Sequence, residues 1–175
     1  MPQERGLSLV ELMLALAILA ICAVALGSAY ISMVDLSDLT EQEILATNAM
    51  RAKMAEIQAN VDVPYTDGLG DQYTNVNGIF SRYSDTAFSQ FSVDGLERPS
   101  SNPSVGTVIL HMDETNVPVQ LGGPSLDLDG DGTTSKTSFQ ASDTIALVPI
   151  EIQTTWQTRR GPITRSRFLL LAWTD

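Results

Sequence analysis

The chain has 175 residues, of which 43% are hydrophobic, and its 21 acidic residues outnumber its 10 lysines and arginines to give a formal net charge of -11. This length allows one globular domain with an appendage rather than two full domains. The acidic balance argues against a general nucleic-acid binder, because neutralising phosphates requires surplus lysine and arginine. One cysteine, Cys22, and one histidine, His111, exclude an intrachain disulfide and a Cys/His metal cluster.

Residues 7–31 form an apolar stretch, and within it residues 12–26 contain no charged or hydroxylated side chain. As a helix, these 25 residues would measure roughly 37 Å, which is enough to cross the hydrocarbon core of a bilayer. Beyond them, apolar residues recur at spacings of three and four among charged ones, as in an amphipathic helix. We therefore predict one long helix, membrane-spanning first and amphipathic afterwards, that ends at about Ala59 before Asn60 and Pro64.

Glu11 interrupts the apolar stretch. A carboxylate within an apolar helix is costly and usually signals a partner or a function, although near a helix end it can also reach the membrane interface. The residues around it read Gly6-Leu7-Ser8-Leu9-Val10-Glu11-Leu12, after a short polar leader. This segment resembles the prepilin peptidase site of type IV pilins and pseudopilins. Leu7 departs from the family pattern, which most often has Phe there.

The resemblance implies cleavage after Gly6 and methylation of the new amino group on Leu7. It divides the chain into a leader (1–6), a transmembrane and assembly helix (7–31) and a soluble pilin-like head (32–175). In a bundle of such helices, Glu11 of one subunit can pair with the Leu7 amine of another and set the axial register. Prepilin peptidase, other pilin or pseudopilin subunits and the inner membrane are the implied partners.

Two ordinary alternatives explain an apolar N-terminus. A secretory signal peptide could be cleaved near Ala25-Leu26-Gly27, but Glu11 would then start its apolar region. The sequence Leu19-Ala20-Ile21-Cys22 resembles a lipoprotein site but has Ile where a small residue is required. Orientation follows from the flanks, because Arg5 precedes the helix and acidic residues follow it. We expect a single-pass protein of the bacterial inner membrane with its head in the periplasm or outside, which then enters a pilus or pseudopilus.

The predicted fold class is α+β, with the long N-terminal helix packed on an antiparallel β-sheet head. The alternation of apolar and polar residues predicts strands, and Arg159-Arg160-Gly161-Pro162 predicts the turn of a terminal hairpin. That hairpin, with Trp156 before the turn, also resembles the C-terminal end of minor pilins and minor pseudopilins. The predicted strands are residues 78–83, 88–93, 106–113, 117–120, 144–155 and 165–173.

The Asp127-Leu128-Asp129-Gly130-Asp131-Gly132 segment is the most specific polar motif of the head. Carboxylates at alternate positions before glycine can wrap a hard cation, with the Thr133 carbonyl and Asp143 as further ligands. Ser138 stands where an EF-hand requires a bidentate glutamate, so this is not an EF-hand. A looser calcium loop and an Asp/Gly-rich surface turn both remain open. Unchanged thermal stability of the head in millimolar calcium would count against the site, and no cofactor is required.

Two other polar groups suggest chemistry only weakly. The hairpin carries four arginines: Arg159, Arg160, Arg165 and Arg167. Solvation or subunit contacts explain them better than DNA binding does, so we expect no nucleic-acid partner. His111 near Asp113 and Glu114 lacks a nucleophile motif or cofactor fingerprint, so we predict a non-enzyme.

The predicted function is a structural subunit, a minor pilin or minor pseudopilin of a type IV pilus or a type II secretion system. The alternatives are a major pilin, a DNA-binding competence pseudopilin and an uncleaved membrane-anchored binding protein.

Overall fold

The computed structural model describes residues 8–123, 126–140 and 143–172. The chain divides into two compact units between Glu41 and Gln42, and we call the second unit the head. One helix, α1 (Leu9–Ala59), runs through this division without a break. The predicted end of the helix at Ala59 is confirmed, and the Asn60 amide closes the last turn by donating to the Glu56 carbonyl at 3.1 Å.

The head combines short helices with two antiparallel sheets, which confirms the predicted α+β, pilin-like layout. The elements after α1 are β1 (Tyr65–Thr66), β2 (Gln72–Tyr73), α2 (Asn75–Ser84), α3 (Thr86–Ser89), β3 (Gln90–Phe91), β4 (Gly106–Leu110), two 3-10 helices (Glu114–Asn116 and Val119–Leu121), β5 (Leu147–Thr158) and β6 (Gly161–Ala172). β1 and β2 form a two-stranded hairpin directly after α1, and the four-stranded sheet has the strand order β3-β4-β5-β6.

The predicted terminal hairpin is confirmed and is the longest strand pair of the sheet. β5 and β6 pair from Leu147↔Ala172 to Thr158↔Gly161, so Arg159 and Arg160 form its two-residue turn. The Thr158 hydroxyl donates to the Gly161 carbonyl at 2.6 Å, and Gly161 has φ +119, a value that favours glycine. The turn is therefore fixed by its own hydrogen bond and by a residue without a Cβ.

Two predicted strands are wrong, and a third is mostly so. Residues 78–83 lie in helix α2, because Val76, Ile79 and Tyr83 bury one face at helical spacing. Residues 117–120 enter the second 3-10 helix, which follows Pro118 and ends at Gly122 in the left-handed region. In residues 88–93 only Gln90–Phe91 is a strand, since the Asp85 side chain caps α3 just before it.

The main core of the head forms where α1 meets the sheet. Met50 and Ile57 of α1 pack in one cluster with Val148, Ile150 and Ile152 of β5. Alternate residues of β5 point to the same face of the sheet, so these three valine and isoleucine side chains form a continuous apolar stripe. Burying each such side chain stabilises the fold by about 1.5–3 kcal/mol.

A second core cluster fixes the hairpin to the beginning of the head. Trp156 of β5 is 1% exposed and packs with Ala46 of α1, Leu96 and Val105. Its indole N–H donates to the Gln42 side-chain oxygen at 3.1 Å, which satisfies the polar atom of this buried ring. The turn-proximal part of the hairpin is thus held against the first head residues of α1.

Candidate functional site

The first part of α1 exposes an apolar surface. Every residue from 8 to 34 is exposed in the isolated chain, including leucines, isoleucines and valines that a soluble helix would bury. The helix is long and apolar enough to cross a membrane, as judged by length and composition. An apolar surface of this size requires lipid or other helices to cover it, since water is a poor solvent for it.

Glu11 is the acidic residue of the first turn of α1, and its side chain is exposed. A carboxylate at this position interacts favourably with the partial positive charge of the helix N-terminus. Its predicted partner Leu7 and the predicted cleavage residue Gly6 both lie outside the described residues. Cleavage after Gly6, methylation of Leu7 and the pairing of Glu11 therefore stay predictions.

The acidic loop, residues 126–133, is organised by Asp127. Its two carboxylate oxygens accept the backbone N–H groups of Gly130 at 2.7 Å and Gly132 at 2.8 Å. The Gly132 hydrogen bond above all, with that of Gly130, holds the pKa of the Asp127 carboxyl below its usual value against the opposing effect of burial. Both glycines have positive φ, so they supply the backbone conformation that this turn requires.

The fully buried Glu114 connects this loop to the first 3-10 helix. One carboxylate oxygen accepts the Leu128 amide at 2.9 Å and the other accepts the Lys136 amide at 2.8 Å. The Glu114 amide in turn donates to the Lys136 carbonyl at 2.9 Å. A buried carboxylate is tolerated only when hydrogen bonds replace its hydration, and here two backbone donors do so. The signal for this role in the sequence is weak, since nothing local distinguishes Glu114 from a surface acid.

The predicted calcium ligands are brought together only in part. Glu114, Asp127 and Asp129 each offer a carboxylate oxygen, and these oxygens lie within 4.8 Å of one another. Asp131 instead accepts the amide and the hydroxyl of Thr133, both at 2.7 Å. Glu114 was missing from the predicted ligand set, which consisted of Asp127, Asp129, Asp131, Thr133 and Asp143.

The ammonium group of Lys136 lies among these carboxylates. It is 3.4 Å from an oxygen of Asp129 and 3.2 Å from an oxygen of Asp143. Burial lowers the pKa of Lys136, but hydrogen bonds and charge attraction from Asp143 and Asp129 outweigh this effect and raise it. For Asp143, the Gln140 amide first and Lys136 second lower the pKa. A calcium ion would have to displace this ammonium, and calcium binding stays a prediction.

Comparison with known proteins finds a family match at the N-terminus. Residues 1–27 match the family model described as the prokaryotic N-terminal methylation motif. The chain carries the N-terminal signal of type IV pilins and pseudopilins. No curated protein and no solved structure matches it.

This signal indicates that the chain is a pilin or pseudopilin precursor. It implies processing by prepilin peptidase and assembly with other pilin subunits. Subunits that carry it are structural components rather than enzymes, and the exposed apolar helix fits membrane anchoring.

His111, which was weighed as an acid–base group beside Asp113 and Glu114, contacts a different carboxylate. Its Nε2 lies 2.9 Å from a carboxylate oxygen of Glu151, which belongs to the neighbouring strand β5. Asp113 caps the first 3-10 helix, and Glu114 points into the acidic loop. The histidine therefore takes part in a cross-strand contact within the sheet.

The hairpin arginines are all exposed, and one of them has a defined role in the head. Arg165 of β6 donates from Nε to a Glu43 oxygen of α1 at 2.8 Å. Arg159 and Arg160 form the turn, and Arg167 follows Arg165 on the same face of β6. Together with Trp156 and Gln42, the Arg165–Glu43 pair links the hairpin to α1.

Proposed function

We propose that the chain is a minor pilin or minor pseudopilin, a structural subunit of a type IV pilus or a type II secretion pseudopilus. The observation that carries this proposal is the methylation motif at residues 1–27, together with a helix whose residues 9–34 are all exposed. Cleavage after Gly6 would leave Leu7 as the methylated first residue. The subunit would sit in the inner membrane, with its head in the periplasm, before assembly.

One feature of the head supports a minor subunit. The hairpin of β5 and β6 carries the pattern that resembles minor pilins, with Trp156 before an arginine-glycine turn. That pattern also has a structural purpose, because Trp156 and Arg165 both contact the α1 segment at Gln42 and Glu43. A major pilin would instead dominate sheared filaments, so the abundance of the protein in them separates the two.

The deciding experiment is mass analysis of the mature N-terminus. The protein purified from membranes of a cell with prepilin peptidase should begin at N-methylated Leu7. Gly6→Val should retain the leader, because the bulkier residue blocks the cleavage site. Gly27→Ala is the matched control, since a Cβ at Gly27 meets nothing within 4 Å, and it should be processed normally. A mature start near Gly27, or an uncleaved wild type, would contradict the proposal.

The assembly role of Glu11 requires a separate experiment. Glu11→Ala should leave cleavage intact but reduce incorporation into filaments, because the Leu7 amine of a neighbour would lose its poorly solvated partner. Ser8→Ala, one turn earlier and also exposed, is the control. If Glu11→Ala assembles as well as the wild type, the register role is wrong.

A further inference from the structure

Lys136 is held by its backbone beside the acidic loop. Its amide donates to one carboxylate oxygen of Glu114 at 2.8 Å, and its carbonyl accepts the Glu114 amide at 2.9 Å. The other Glu114 oxygen accepts the amide of Leu128, a loop residue that belongs to the main core. Because Lys136 is hydrogen-bonded on both sides to a fully buried residue, its side chain extends from a fixed point of the head.

The ammonium group of Lys136 joins two chain positions, one before it and one after it. It lies 3.4 Å from an oxygen of Asp129 in the acidic loop and 3.2 Å from an oxygen of Asp143, shortly before β5. The ring of Phe139, which packs in the main core, lies 4.4 Å from the same nitrogen and adds a cation–π contact. One cation therefore closes the segment between the acidic loop and β5, since it attracts the carboxylates at both ends.

The four carboxylates of this region differ in their backbone partners. Both oxygens of Glu114 accept backbone amides, and so do both oxygens of Asp127. In Asp129 and Asp143, by contrast, one oxygen accepts an amide from the described residues. The Lys136 ammonium lies against these two carboxylates, which have fewer amide donors. Each acidic group is therefore stabilised from within the chain, as a charge that is taken out of water requires.

A calcium ion closes an acidic loop in a similar way, because it joins carboxylates from separate chain positions through six to eight oxygen ligands at about 2.3–2.6 Å. An ion bound to Asp129 and the carboxylates near it would lie close to the ammonium that already contacts Asp129. The side chain of Asp129 is 12% exposed, so water screens the repulsion between two such cations poorly. The arrangement therefore fits one cation, and Lys136 supplies it.

We propose that the Lys136 ammonium takes the cation position of the acidic loop, so that the head is closed and stable without calcium. The segment that it closes contributes Leu128, Phe139 and Ile145 to the main core, so its closure matters to the whole head. A bound ion stabilises a protein only in proportion to its concentration, whereas a cation that belongs to the chain is always present. The stability of the head is therefore independent of the calcium around it.

Calcium addition to the full-length protein in detergent is the first test. The wild type should unfold at the same temperature in excess EGTA and in millimolar calcium chloride, and calorimetric titration should detect no calcium binding. A higher unfolding temperature in calcium would overturn the proposal. This measurement needs neither cleavage of the leader nor filament assembly, so its result is separate from that of the proposed function.

Removal of the ammonium is the second test. Lys136→Met keeps a stem of similar length over the Phe139 ring, and in EGTA it should unfold roughly 3–8 °C below the wild type. Calcium chloride should restore most of this loss, because a metal ion can then take the position that the ammonium has left. Lys136→Arg keeps the charge and should behave as the wild type does.

Arg51→Gln is the control for the loss of a positive charge, since Arg51 is exposed on α1 and makes no ion pair among the described residues. It should gain no response to calcium. Lys136→Met that is as stable as the wild type in EGTA would overturn the proposal, because the ammonium would then not close the segment. Lys136→Met that calcium fails to stabilise would overturn it as well, because the ammonium would then not stand at a cation position.

Discussion

The two parts of α1 have the same backbone structure but opposite surroundings. Between Leu9 and Val34 every side chain is exposed in the isolated chain, and most are apolar. Between Gln42 and Ala59 the helix buries Ala46, Met50 and Ile57 against the sheet. Helix propensity is similar in both parts, so it does not distinguish them; what covers their apolar side chains does. Those of the first part require cover from outside the chain, whereas those of the second part are covered by the head.

The stability of the head should therefore depend on the second part of α1 and on the hairpin, but not on the apolar first part of the helix. Residues of the first part should affect membrane insertion and assembly with little change in unfolding of the head. Residues that join α1 to β5 and β6 should change the unfolding of the head, with little effect on membrane insertion and assembly. The following changes test this separation.

Trp156→Ala should have the largest effect on the head. It removes a ring that is 1% exposed, together with its hydrogen bond to Gln42, and such truncations cost about 3–5 kcal/mol. Pulse proteolysis of the full-length protein in detergent measures the free energy of unfolding without relying on tryptophan fluorescence.

Leu19→Ala is the control, since Leu19 lies in the exposed apolar part. It should leave the free energy of unfolding of the head unchanged. An equal loss in both variants would show that the two parts of α1 are not energetically separate.

Glu114→Gln should have the next largest effect. The carboxylate accepts one backbone amide on each oxygen, whereas a glutamine offers one acceptor and one N–H₂ donor that would face a second donor. The unsatisfied group should cost about 1–3 kcal/mol, measured as above. Asp113→Asn is the matched control, because the half-buried Asp113 accepts from Thr115 and an amide oxygen can still do so. A loss no larger than in this control would mean that Glu114 does not organise the loop.

How much could be predicted depended on whether a residue acts through local pattern or through distant partners. The extent of α1 and the β5–β6 hairpin followed from periodicity and turn chemistry, which are local. Helix α2 was missed although its apolar residues have helical spacing, because Thr74 at its start makes no side-chain capping hydrogen bond and Asn75 begins it from a left-handed conformation. Glu114 was missed as an organising residue because its partners Leu128 and Lys136 lie 14 and 22 residues away. The acidic motif left a calcium loop and a surface turn open, and the position of Lys136 among its carboxylates depends on tertiary structure that the motif does not contain.

Tyr83 should make the attachment of α1 to α2 sensitive to alkaline pH. Burial raises the pKa of the phenol to about 12, against a lowering hydrogen bond from Asn60, and the Glu56 carboxylate adds to the rise. Since the folded pKa lies above the unfolded value of 10.0, this stabilisation is complete below pH 10 and is lost as the pH rises through 12.

Tyr83→Phe removes this dependence. The free energy of unfolding of the wild type relative to Tyr83→Phe should be constant from pH 7 to 9 and should fall by about 1–2 kcal/mol towards pH 12. Difference absorbance of the phenolate, wild type minus variant, gives the titration directly. A midpoint near 10 would mean that this phenol is not buried against α1.

The smallest expected effect belongs to the Arg165–Glu43 pair, which joins β6 to α1 at the beginning of the head. Both side chains are about half exposed, and exposed pairs are worth about 0.2–1 kcal/mol. A double-mutant cycle with Arg165→Ala and Glu43→Ala should give a coupling in this range that decreases in 1 M salt, because ions screen it. Arg167→Ala serves as control, since Arg167 is on the same face of β6 but makes no ion pair among the described residues. A coupling above this range would mean that charge, rather than the Trp156 cluster, attaches the hairpin to α1.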